Sequence, residues 1–201
     1  MTPRSFRTVR IAWKQTASEF ELKDTAPVLV VYREDQTSAV FNLDQSSGEP
    51  RSIAAARKCF IAPGTERFYF KLSPRTPAFE NREYAMRIVE TTLLANWFFV
   101  GDDYSSYTLI RNTTNTRIEN LIVTWRDAAG GAIYSEGRAL GANGMWAVNA
   151  RTIQPSVRDA RTGVIEISHS GPPDSIVGSQ TTMSPTTGLS FDTVFFKRHA
   201  W

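Results

Sequence analysis

Apolar residues in this chain recur at every second position in short runs, and glycine, proline, asparagine and aspartate cut those runs at short intervals. A period of two sends successive side chains to opposite faces of an extended backbone, so each run reads as a β-strand with one face to bury. The pattern predicts strands at 9–13, 19–22, 27–32, 39–43, 58–62, 67–72 and 84–89. It resumes at 93–100, 107–111, 121–126, 132–139, 145–149, 163–169, 176–181 and 191–197. The strongest helical stretch by propensity, 52–58 (SIAAARK), runs straight toward Pro63 and Gly64 and is expected to be a loop or a single turn.

These strands predict an all-β chain of two consecutive antiparallel β-sandwich modules, Ig-like or jelly-roll-like. At 201 residues the chain has room for two cores. The expected boundary follows the strand 84–89, giving an N-terminal module over 1–90 and a C-terminal module over 91–201. Val28, Leu29, Val30 and Val31 are apolar on both faces, which marks a central strand. In the second module Leu121, Val123 and Trp125 share one face and Ile165 and Ile167 share another, leaving Thr124, Arg126, Glu166 and Ser168 outward. The Asp127-Ala128-Ala129-Gly130-Gly131 run is a hairpin turn, and the Ser/Thr/Pro/Gly-rich stretch 179–190 reads as a surface loop.

Composition excludes several classes of partner. Lys and Arg number 23 against 20 Asp and Glu, too even a balance for a dedicated nucleic-acid surface. Arg4, Arg7, Arg10 and Lys14 read as a solvated arm or edge strand rather than a phosphate clamp. No apolar run approaches the roughly 18 residues of a spanning helix, so no membrane span is expected. The lone Cys59 allows no internal disulfide. Residues 1–10 have no apolar central region of a signal peptide, so the chain reads as cytoplasmic by default, or extracellular as a piece of a longer secreted protein.

Two resemblances bear on function. The segment 59–72 (CFIAPGTERFYFKL), followed by 83–89 (EYAMRIV), resembles the bacterial pre-peptidase C-terminal type of β-sandwich. The resemblance implies an accessory module that assists binding, with no catalytic residues to carry over. The segment 107–196 is similar to the small sandwich of sensory rhodopsin transducer proteins. The features that carry it are 109–114 (LIRNTT) ahead of 121–126, a glycine hairpin, 163–167 (GVIEI), and Pro173 before Ile176, Val177 and Gly178. That similarity implies small-ligand sensing or protein docking.

Catalytic motifs are missing from the sequence. With 2 His and 1 Cys, and neither His-x-x-x-His nor Cys-x-x-Cys spacing, no zinc-type ligand set is predicted. Both His169 and His199 are read as structural. There is no Gly-x-Ser-x-Gly elbow and no Gly-Lys-Ser/Thr phosphate cradle, and Cys59 is read as a small buried hydrophobe. No cofactor is expected. The polar pair Asp102 and Asp103 reads as a solvated turn, with a calcium site as the sharper alternative. Trp97, Phe98, Phe99, Tyr104 and Tyr107 are dense enough to offer rings to a sugar or a protein. The sequence therefore predicts a non-catalytic accessory or adhesion-type protein that binds a protein partner or a glycan through Trp97, Asp102, Asp103, Tyr104 and Tyr107. A sensor or transducer domain is the second reading, and an enzyme with a carboxylate site the third.

Overall fold

Strands follow from the alternation almost run for run. The computed structural model describes residues 6–15, 28–33, 35–37, 39–43, 55–63, 68–73 and 84–198, with side-chain surroundings chiefly from Thr91 onward. The strands are β1 (Phe6–Gln15), β2 (Val28–Tyr32), β3 (Ala39–Leu43), β4 (Ala55–Pro63), β5 (Tyr69–Ser73), β6 (Tyr84–Glu90) and β7 (Leu93–Phe99). They continue with β8 (Ser105–Asn112), β9 (Ile118–Asp127), β10 (Ala132–Leu140), β11 (Met145–Asn149), β12 (Thr162–His169), β13 (Ile176–Met183) and β14 (Ser190–Lys197). The chain is mostly antiparallel β-sheet. The predicted strand 19–22, Gly64 and His199 lie outside the described residues, as does the side chain of Cys59.

Contacts divide the chain into two units. One gathers Val89–Trp201 with Met1–Arg10 and Cys59–Gly64, and the other comprises Ile11–Lys58 with Thr65–Ile88. The sequence pattern gives only a single cut near residue 90, because pairing between distant strands leaves no local trace. In the earlier half, β2 lies between β3 and β5, with Val30 opposite Asn42 on one side and Lys71 on the other. That central place suits a strand apolar on both faces. A second three-stranded sheet has the order β4-β1-β6.

The later half holds one eight-stranded sheet of order β10-β9-β12-β7-β14-β13-β8-β11, nearly barrel-shaped. β14 links its two halves, pairing with β13 from Ser190 to Val194 and with β7 from Phe195 to Lys197. Leu121, Val123, Trp125, Ile165 and Ile167 are fully buried and meet in register, Ile165 opposite Trp125 and Ile167 opposite Val123. Phe98, Ile110 and Val157 complete the same core. Trp125 packs against Tyr134 with ring centroids 5.6 Å apart.

Four details depart from the sequence reading. Residues 55–58 are the start of β4, not a loop or helical turn, because sheet pairing overrides a weak helical propensity. Two short helices, Ala150–Ile153 and Pro155–Ala160, stand where none was expected. The Asn149 side chain caps the first by accepting from the Arg151 N–H at 2.9 Å, and Pro155 opens the second. The 179–190 loop shrinks to the turn between Met183 and Ser190, since β13 runs on through the threonines. Finally, Thr124, Glu166 and Ser168 do lie on the face opposite the core, yet they are buried rather than solvated. Glu166 there accepts from Arg126 at 3.3 Å and Arg198 at 3.5 Å, the pairing a buried carboxylate requires.

Candidate functional site

β7 leaves its partner β14 after Leu93–Ala95, so its edge peptides from Trp97 onward need other partners. Side chains from β8 and β13 supply them. The Ser106 hydroxyl accepts from the Phe99 N–H at 2.9 Å and donates to the Phe99 carbonyl at 3.1 Å, while Gln180 donates to the carbonyl of Trp97. Thr182 lies 2.6 Å from Ser106, and Thr108 donates to Gln180 at 3.3 Å. The inner face of β8 and β13 is thereby committed largely to polar groups, with Ile110 and Ile176 as its buried apolar residues. Tyr107, Leu109, Val177 and Met183 lie on the outer face.

That outer face is an apolar surface. Tyr107, Leu109, Val177, Met183, Met145 and Val194 are all exposed, from 38% at Tyr107 to 78% at Val194. Register puts them on one side: Leu109 lies opposite Ala147 and Ser179, Tyr107 opposite Asn149 and Thr181, and Ser179 opposite Val194. A groove of about 490 Å³ runs along it, lined by Tyr107, Thr108, Leu109, Ala147, Val148, Asn149, Thr181 and Met183. Two charged residues of this face are Arg111 and Asp192, both exposed. Asp192 accepts from the Thr181 hydroxyl at 2.6 Å, and among the described residues Arg111 has no acidic partner.

The β7–β8 turn gathers the aromatic residues singled out by sequence. Trp97 stacks on Phe99 at 5.7 Å and on Phe191 at 5.2 Å, and Tyr104 lies 6.3 Å from Phe99 and 6.2 Å from Phe191. Asp103 accepts from Ser184 and, at 2.5 Å, from Thr186, tying this turn to the β13–β14 turn. Those two hydroxyls, Ser184 first, hold its carboxyl below the usual carboxylate range. Arg151 donates to the carbonyls of Gly101, Asp102 and Tyr104. Asp102 projects into solvent 3.5 Å from Arg161. Among the described residues no three His, Cys, Asp or Glu side chains cluster as metal ligands.

No protein family, curated protein or solved structure matches this chain.

The five residues predicted from sequence fall into separate settings. Trp97 and Tyr104 come together through Phe99 and Phe191, Asp102 and Asp103 belong to the turn beside them, and Tyr107 lies on the outer sheet face. Phe191 and Arg151 carry no local signal, because they join the turn from β14 and from the helix Ala150–Ile153, distant in the chain. Leu109, Val177, Met183 and Val194 went unnoticed for another reason. An apolar residue in an alternating strand is assigned to the core by rule; Ile110 and Ile176 follow it, and their neighbours on the other face of β8 and β13 do not.

Proposed function

We propose that this chain is a non-catalytic binding protein of two β-sandwich modules, which engages a protein partner through the outer face of β11, β8, β13 and β14. The observation that carries the reading is the inversion of β8 and β13, with Ser106, Thr108, Gln180 and Thr182 buried while Tyr107, Leu109, Val177 and Met183 are exposed. Clustered exposure of large apolar side chains marks an interaction surface, whereas isolated ones need no explanation. A partner that covers the face recovers the burial energy these side chains do not gain within the chain, about 1.5–3 kcal/mol for each one fully buried.

A protein suits this surface better than a glycan. Sugar recognition calls for an open ring face beside free polar groups. The rings of Trp97, Phe99, Tyr104 and Phe191 pack on one another, and the Asp103 carboxylate is engaged by Ser184 and Thr186. A photo-crosslinking amino acid placed at Leu109 tests the reading, with the exposed Glu119 on β9 as control. Position 109 should capture protein in the cells that make the chain and position 119 should not. Equal capture, or none at 109 in a folded chain, overturns it.

A further inference from the structure

We infer that the protein covering this face is a second copy of the chain, seated by a twofold axis that pairs Arg111 of each copy with Asp192 of the other. The inference rests on the reading above and adds the identity of the partner. Its basis is charge: Arg111 and Asp192 stand at opposite corners of a face of apolar and hydroxyl side chains centred on Ser179, neither neutralised by an opposite charge among the described residues. Such a pattern is self-complementary, because a twofold operation brings the two opposite charges together twice.

The strand register allows the geometry to be worked out. Arg111 pairs with Val177, Val177 lies four residues before Thr181, and Thr181 pairs with Asp192. Taking strands about 4.8 Å apart and same-face neighbours about 6.8 Å apart, the midpoint between Arg111 and Asp192 falls at Ser179. A twofold axis lying between the facing sheets and crossing that point lays Arg111 over the partner's Asp192. The same operation sets Val177 over the partner's Val194 and Met145 between the partner's Met183 and the partner's Ser190. Tyr107 then falls nearest the partner's Ala147 and Leu109 nearest the partner's Thr181, so the buried contact is apolar with hydroxyl groups among it. The strands of the two copies cross steeply, close to the orthogonal mode of sheet packing.

Sedimentation equilibrium of the full chain from about 1 to about 100 µM, where a micromolar complex forms, should show a monomer–dimer equilibrium. Arg111→Asp and Asp192→Arg should each weaken it by about tenfold or more, since each creates two like-charge contacts per dimer. The double reversal should return the dissociation constant to within about threefold of wild type, because the pairs are restored with opposite polarity. Both positions are exposed, so near-native circular dichroism is expected for all three variants. A wild-type monomer throughout the range overturns the inference, and so does a dimer whose single reversals are not rescued by the double. If the chain is monomeric while a crosslinker at Leu109 still captures a different protein, the identity of the partner is wrong and the binding face stands. A monomer without capture at Leu109 removes both.

Discussion

His169 ends β12 and hydrogen-bonds the backbone at Thr91, between β6 and β7, and only 1% of its surface reaches solvent. Burial lowers its pKa from 6.5 to about 4, against the opposing pull of backbone hydrogen bonds with Thr91 and Gly171 and of the Asp174 carboxylate. In the unfolded chain the imidazole takes up a proton near pH 6.5; in the folded chain it stays neutral until about pH 4. Between those values the unfolded state binds more protons, so stability is complete above pH 6.5 and falls as the pH drops toward 4. The loss should total about 3 kcal/mol. Urea midpoints measured across this range should show the slope in wild type, and His169→Gln, although less stable at pH 7, should lose most of it. Trp125 tests the core at the same scale. It is fully buried, and Trp125→Ala should cost about 3–5 kcal/mol by chemical denaturation.

At the level of the strand, alternation is a local property, and local properties are legible. β3 and β11 coincide with the runs 39–43 and 145–149, and most other strands differ from their runs by a few residues at the ends. The two helices between Asn149 and Arg161 escaped because four and six residues are too few for propensity to accumulate. The inverted faces of β8 and β13 escaped because their cause is elsewhere in the chain: β7 parts from β14, and its bare edge has to be hydrogen-bonded from across the core. Ser106→Ala should therefore strand both backbone groups of Phe99 and cost roughly 1–3 kcal/mol, with faster amide exchange at Phe99. Neighbours in β8 should also respond oppositely to truncation. Ile110→Ala removes a fully buried side chain and should cost about 2–5 kcal/mol. Leu109→Ser, on the outer face, should stay within about 0.5 kcal/mol of wild type when the chain is dilute. Similar losses at both positions would mean that the outer face belongs to the core.

Across the whole molecule, what the sequence withholds is order in space. The adjacency of β7 to β12 and β14, and of β8 to β13 and β11, joins segments far apart in the chain, and it is this adjacency that assembles Met145, Leu109, Val177 and Val194 into one surface. Tyr107 was legible as a candidate because it is aromatic; its neighbours were not, because nothing in a single strand says which face the rest of the fold will leave open. If that surface is closed by a second copy, the assembly becomes part of the stability of the chain. Coupling of unfolding to dissociation means that a hundredfold rise in concentration adds about 1.4 kcal/mol per chain. For a chain of this length that corresponds to about 3–6 °C in Tm. Thermal unfolding followed at about 1 and about 100 µM should show that shift in wild type and in the Arg111→Asp/Asp192→Arg pair, and a smaller one in either single reversal. An unfolding temperature indifferent to concentration in all four proteins would leave the face uncovered by its own kind, whatever else binds there.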